Sequence, residues 1–238
     1  MLSSLAWTER TFARDKMIVR EREPVSDAIL VREGVVCHQV AGDTGQRQIC
    51  SLHFPGDLIN LEGCFLGWSL SGIQALSPAR VASCSRDDFL SFLETREGAA
   101  RAVWVAALAD SAEARLQAVN LSRKSAKARI ANLFCQLAYR IEGPRFERNQ
   151  SFTQPLTQKQ IGDATALTSI HVNRVLRSLT DEQLIEREGN LIRVPDVRAL
   201  TQAGGFDRAG AHQLRDQAAA MLSLVKPQFP PQPRALLT

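Results

Sequence analysis

The sequence predicts an α+β protein built in series: an N-terminal antiparallel β-roll of jelly-roll (cupin-like) type, one long helix, and a small helical domain closed by a β-hairpin. Three observations carry this. Short apolar runs separated by Gly, Pro and Asp fill residues 18–92, as strands joined by turns require. An alanine-rich stretch from Glu97 to about Asn120 then has no Pro, and no Gly beyond Gly98, which favours a long helix. Beyond it, two short helical patterns flank a tight turn, and a Gly-Asn turn joins two β-prone runs.

In the roll, Ile29-Leu30-Val31 ends at Glu33-Gly34, and Val35-Val36-Cys37 is followed by Gly42-Asp43-Thr44-Gly45. Ile49 to Phe54 stops at Pro55-Gly56-Asp57, Ile73 to Leu76 stops at Ser77-Pro78, and Arg80 to Cys84 is the last run. Short strands at this spacing make a roll, barrel or sandwich. Asp87 and Asp88 ahead of Phe89, Leu90, Phe92 and Leu93 then read as a helix start.

Length and composition narrow the class. At 238 residues, 45% apolar and 23% charged, the chain is one large domain or two small ones and too apolar for disorder. No run approaches the ~18 uninterrupted apolar residues of a membrane helix. Met1 to Lys16 has no apolar core of signal-peptide type, so a cytoplasmic protein with no membrane partner is expected. Collagen, coiled-coil rods, channels and secreted disulfide scaffolds are excluded. The five cysteines (Cys37, Cys50, Cys64, Cys84 and Cys135) are well separated and lack a C-x-x-C pair. That is the spacing of neither a disulfide framework nor a zinc site, so buried free thiols and no metal are expected. A thiol- or metal-based redox sensor using cysteines of the roll, an iron–sulfur site included, stays open as the alternative.

The net charge of +4 is unevenly placed. Residues 1–120 hold 12 Lys and Arg against 15 Asp and Glu, whereas residues 121–198 hold 13 against 8. A basic second half behind a near-neutral first half points to a polyanion as its partner.

Within the long helix, Val105, Leu108, Ala112, Arg115 and Val119 recur at alternating spacings of three and four, flanked by Trp104 and Leu116. That is a coiled-coil-like seam of about two heptads. A small roll cannot cover it, so a second copy of the same helix is expected there; packing on the helix's own domain is the competing arrangement. A second helix, Ser125–Ile141, has Ile130, Leu133, Phe134, Leu137 and Ala138 on one face. The polar segment Glu142–Phe152, with Gly143-Pro144, reads as the loop that ends it.

Leu156 to Val194 says most about function. Thr157 and Gln160 form a capping box that opens a helix from Gln158 to about Ala164. After the turn Thr165-Ala166-Leu167, Thr168 caps a second helix whose Val172, Val175, Leu176 and Leu179 share one face. Ser169, His171, Asn173, Arg174, Arg177 and Ser178 must then look outward. Leu184 to Glu188 and Leu191 to Val194 form a hairpin across Gly189-Asn190. Two short helices across a tight turn, followed by a ribbon, make a winged helix-turn-helix, which sets its second helix in the major groove of double-stranded DNA. The outward polar row supplies groups for base edges and phosphates. No Ser/His/Asp spacing, phosphate loop or H-E-x-x-H motif points to an enzyme.

This order of elements resembles the Crp/Fnr family of bacterial transcriptional regulators. The resemblance rests on Leu30-Val31-Arg32-Glu33-Gly34 and Phe54-Pro55-Gly56-Asp57-Leu58 in the roll. In the second half it rests on Ala128-Arg129-Ile130-Ala131, Pro155-Leu156-Thr157-Gln158 and the run Leu167 to Leu176. It covers roughly residues 10–206. It implies a homodimer on an inverted-repeat operator, with an unknown small-molecule effector or other signal sensed by the roll and RNA polymerase as a further partner. By position, Ser169, Ile170, Asn173 and Arg174 match the family's base-reading sites, with Thr168 and His171 nearer the phosphates and Arg177 a neighbouring phosphate contact.

The departures shape the expectations. Cyclic-nucleotide-binding members carry a Gly-Glu pair and, some residues later, an Arg followed by Ser or Thr and Ala. In the segment Asn60 to Ser71, Glu62 can serve a ribose, but Ser69 or a neighbour stands where the Arg belongs. A phosphate buried without a cation loses its strongest kind of hydrogen bond, so no tight cyclic AMP binding and no cofactor are expected. Glu62 and Ser69 remain the candidates for an effector pocket. The oxygen-sensing members have an N-terminal cysteine cluster, and no Cys precedes Cys37 here. His38 and His53, the roll's histidines, are expected as surface or hydrogen-bonded core residues rather than haem ligands. Ala166 stands where the turn Gly is common, at a cost of ~1 kcal/mol if its φ is positive. Ile170 replaces the usual base-reading Glu; it can meet a thymine methyl but cannot accept a hydrogen bond from cytosine, so the operator should differ. The expected domains are a roll over 1–94, a dimerisation helix over 95–121, a winged helix-turn-helix over 122–200, and a last helix (Arg208–Val225) with a Pro-rich end over 201–238.

Overall fold

The computed structural model describes residues 5–42, 45–143, 146, 150–207, 216–217 and 220–221. Two compact units emerge: one holds Met1–Val40 and Cys50–Ala114, the other Ala41–Ile49 and Arg115–Arg208.

The first unit is built on strands β1 (Thr8–Phe12), β2 (Met17–Val19), β3 (Asp27–Glu33), β4 (Val36–Ala41), β5 (Arg47–His53), β6 (Leu58–Ile59), β7 (Gly72–Ala75) and β8 (Ala79–Ser85). They form two four-stranded sheets, in the orders β1-β8-β3-β6 and β2-β7-β4-β5. Helices α1 (Leu61–Leu66), α2 (Arg86–Glu94) and α3 (Glu97–Arg123) accompany them, α3 belonging to this unit as far as Ala114. The fold is the antiparallel roll followed by a long helix that the sequence predicts.

Period-two alternation builds two cores from the same strands. Ala28 and Leu30 of β3, with Ala82 and Cys84 of β8, face a cluster completed by Phe89, Phe92 and the alanine face of α3 (Ala99, Ala102, Ala106 and Ala109). Ile29 and Val31, with Val81, point the other way, into a cluster with Val36, Ile59, Ile73 and Ala75. Gly34 turns β3 into β4 at φ +80°, and a Cβ there would lie 2.2 Å from Pro78 O. Only glycine fits that approach.

Two parts of the roll carry no periodic apolar pattern. β1 reads Thr-Glu-Arg-Thr-Phe and is almost wholly exposed. It is an edge strand held by its antiparallel ladder to β8 and by Glu9, which meets both Arg32 and Arg80 at 3.2–3.3 Å. α1 is too short for periodicity; it starts at Asn60, itself at φ +57°, and stops at Gly67.

In the second unit, α4 (Ala126–Glu142) is capped by Ser125, whose Oγ accepts from the Ala128 N–H at 3.2 Å. Then come β9 (Ser151–Thr153), α5 (Gln158–Thr165), α6 (Ser169–Asp181), β10 (Glu186–Glu188), β11 (Leu191–Arg193) and α7 (Val197–Gly204). The predicted two-stranded wing is a three-stranded sheet, β10-β11-β9, with Phe152 opposite Ile192. The segment read as a polar loop holds Phe146, fully buried with its ring edge-on to Tyr139 and Phe152. Isolated aromatics among charges look like a loop, yet their area dominates once buried. α7 is started by Asp196, which accepts from the Arg198 and Ala199 N–H groups. The hairpin segment also belongs here, with Arg47 Nε 2.5 Å from Asp163 Oδ2 and Gln48 donating to Asp163 O at 2.8 Å. Of the helix expected over Arg208–Val225, only residues 216–217 and 220–221 are described, and they are helical. The Pro-rich end, and Asp43-Thr44 of the early turn, lie outside the described residues.

Candidate nucleic-acid interface

The helix-turn-helix is fixed from both ends. Thr157 Oγ1 accepts from the Gln160 N–H at 3.2 Å, and Gln160 Oε1 accepts from the Thr157 N–H at 2.8 Å, closing the capping box of α5. At its other end Ala166 adopts φ 54°, ψ 46°, the left-handed conformation in which alanine is strained. The last-turn carbonyls, which lack partners within a helix, are taken by neighbours. Gln117 donates to Ala164 O at 2.8 Å and Arg129 to Thr165 O at 3.1 Å. Gly162 is required for the close turn: a Cβ there would lie 2.4 Å from Leu167 O.

Thr168 Oγ1 accepts from the His171 N–H at 3.3 Å and opens α6. Val172, Val175, Leu176 and Leu179 are buried. This orientation leaves Ser169, Ile170, His171, Arg174 and Arg177 exposed, Ile170 most clearly at 76%. Ile170, Asn173, Arg174, Arg177 and Ser178 line one open groove that runs to Asp181 and Glu182. Arg174 and Arg177 make no ion pair among the described residues. Glu182, by contrast, is committed: Lys127 reaches it at 2.8 Å and Ser178 Oγ at 2.8 Å, and these bonds hold its carboxyl below the usual range.

The structure thus gathers every residue nominated for DNA contact on α6 or at its cap. One further residue, which periodicity does not single out, bonds to this row. Gln158, on the first turn of α5, accepts a hydrogen bond from Asn173 Nδ2 at 2.8 Å. Its exposed place beside the capping Thr157 is the signal that could have found it.

The nominated effector residues lie around a polar cluster inside the roll. Ser69 is fully buried, with Oγ 2.8 Å from Ser71 O and 3.2 Å from Asn60 Oδ1. Glu62 Oε1 is 3.7 Å from His38 Nδ1, which is 2.7 Å from Ser71 Oγ. The His38 and His53 rings are 4.9 Å apart, and Ser51 Oγ is 2.9 Å from His53 Nε2. Burial pushes the His38 imidazole below its ordinary value, with Glu62 partly opposing it. None of the five cysteines is joined in a disulfide; burial pushes the thiols of Cys64, Cys84 and Cys135 up to about 12. Among the described residues, no group of three or more His, Cys, Asp or Glu is arranged to hold a metal ion.

The seam residues differ in burial. Leu108, Arg115 and Val119 are exposed, Leu108 at 60%, while Val105 and Ala112 are half-buried and Val105 packs on the roll's cluster. Flanking Trp104 and Leu116 are exposed, and Trp104 stacks on Phe65 with ring centroids 5.9 Å apart.

A roll in series with a winged helix-turn-helix that presents a polar, basic row defines a class: DNA-binding transcription regulators. Comparison with known proteins narrows it. A family model for a Crp-like helix-turn-helix domain matches residues 128–203, and one for a cyclic nucleotide-binding domain matches residues 9–96. The chain is 28% identical over 200 residues to the transcriptional activator protein FnrA of Stutzerimonas stutzeri, covering 82% of this chain and 80% of that one. It is 24% identical over 197 residues to the transcriptional activator protein anr of Pseudomonas aeruginosa, again covering 82% and 80%. Its fold is similar to that of FixK2 from Bradyrhizobium japonicum, with a TM-score of 0.76 and 25% identity over 84% of this chain and 98% of that one. The chain belongs to the Crp/Fnr family and is a DNA-binding transcription regulator, not an enzyme. Among its described residues no helix is long and apolar enough to cross a membrane.

Proposed function

We propose that two copies of this chain pair through α3 and bind an inverted-repeat operator, each reading one half-site with α6. The observation that carries this reading is the split of α6 into a buried apolar stripe and an exposed row with two arginines that make no ion pair among the described residues. Arg174 reaches a guanine, Ile170 meets a thymine methyl, and Ser169 and Asn173 face further base edges. Thr168, His171 and Arg177 hold phosphates; the Thr168 oxygen that caps α6 still has its hydroxyl proton to donate. The seam residues Val105, Leu108, Ala112, Arg115 and Val119 join the two copies. FnrA and anr are activators by name, which supports RNA polymerase as a further partner here.

The roll senses a signal other than cyclic AMP. A cyclic phosphate needs a cation where Ser69 stands, and the Ser69 hydroxyl is already spent on Ser71 and Asn60. Glu62, on the exposed side of the same cluster, is the residue that meets the effector. Thiol sensing by Cys64 or Cys84 is disfavoured, because a thiol at about 12 carries almost no thiolate at neutral pH. Pull-down of genomic DNA fragments with the purified protein tests the reading. Enriched fragments should share one inverted repeat; no enrichment over a mock pull-down overturns it. Calorimetry with cyclic AMP should show no low-micromolar binding, and finding it would mean that a cation reaches the site from elsewhere.

A further inference from the structure

We infer that Gln158 is a positioning residue that makes Asn173 an adenine reader, so that the operator half-site carries an adenine beside the guanine read by Arg174. This rests on the proposed role of α6. Asn173 and Arg174 are adjacent on the face that also carries Ile170 and Arg177, and Asn173 Nδ2 donates to Gln158 Oε1 at 2.8 Å. A primary amide has two N–H donors and one carbonyl acceptor. When the N–H that Gln158 holds is the one anti to Oδ1, the other N–H and Oδ1 remain side by side. That pair fits adenine, donating to N7 and accepting from the N6 amino group.

Left alone, the Asn173 amide can turn about its last side-chain bond and exchange its donor and acceptor edges. It would then discriminate poorly between bases. With the Gln158 carbonyl turned toward Asn173, as it stands here, only the Asn173 nitrogen can meet it, so Gln158 holds the donor edge for as long as its own amide keeps this orientation. Gln158 is exposed on the first turn of α5, and no apolar packing accounts for its being there. Thr157 and Gln160 cap that helix without it.

Selection of binding sites from a random DNA pool tests this, using the full-length protein and its Gln158→Ala, Gln158→Glu and Asn173→Ala variants. The wild type should enrich one adenine per half-site, and Asn173→Ala should lose that preference alone. Gln158→Ala should weaken the same preference about 10-fold while leaving the guanine preference and the thermal unfolding midpoint unchanged. Gln158→Glu should restore it, since its carboxylate accepts the same N–H, although added repulsion from phosphate lowers affinity for all sequences. The inference is overturned if Gln158→Ala keeps the wild-type preference, or if it weakens every sequence equally, as a phosphate contact would. If the wild type enriches no sequence at all, it is the DNA-reading role of α6 that has failed.

Discussion

The first half of α3 and the whole of α6 each bury one face against their own unit, but the faces these helices leave exposed differ in kind. On α6 the buried stripe is apolar and the exposed row holds Ser169, His171, Arg174 and Arg177, with Ile170 as its single large apolar member. On α3 the buried residues are mainly alanines, and the large side chains Trp104, Leu108, Leu116 and Val119 are the ones left out, at 47–60% exposure. Small residues let α3 lie close to the roll, so its large apolar ones are not needed there. An exposed row of donors and positive charge suits a polyanion, whereas an exposed apolar row suits a protein surface. The proposed dimer on DNA gives each face the partner its chemistry fits.

The largest expected effect comes from reversing the chemistry of α3. Leu108→Glu places two like charges in the proposed desolvated seam, at a cost of several kcal/mol to pairing. Light scattering at low micromolar concentration should show a monomer; a dimer would mean that the seam is wrongly placed. Arg174→Ala comes next. It should lose ~1–3 kcal/mol of preference for the operator over random DNA, seen by titrating both. If both affinities fall together, Arg174 is a backbone clamp. Smaller still, Ala166→Gly should relieve the left-handed strain and stabilise the second unit by ~1 kcal/mol, measured by urea unfolding. Arg177→Ala should weaken all sequences alike and flatten the salt dependence by about one unit of slope, which separates holding from reading.

How legible these features are in sequence depends on their physics. β3, β7 and β8 show as apolar runs because both of their faces are buried, and α6 shows because its stripe is complete. β1 is not legible, since an edge strand of Thr, Glu and Arg is held by backbone bonds and ion pairs rather than burial. β9 hides because Phe146 and Phe152 stand among charges. In the interface, the outward row follows from periodicity, but the Gln158–Asn173 bond does not. It joins two helices across a turn, and no single-helix pattern encodes the angle between them. Ser69 or a neighbour stands where the resemblance implies an arginine, yet only the structure shows the Ser69 hydroxyl turned inward to Asn60 and Ser71.

The central claim is that α3 pairs two copies so that two α6 helices read one operator together. Half-sites read this way lie about one helical turn apart on the same face of the duplex, ~10–10.5 base pairs centre to centre. Inserting about five base pairs between the half-sites of the selected operator turns one half-site to the opposite face. Titration by fluorescence anisotropy should then show affinity falling to that of random DNA. Unchanged affinity would contradict the account, because each chain would then be reading its half-site alone.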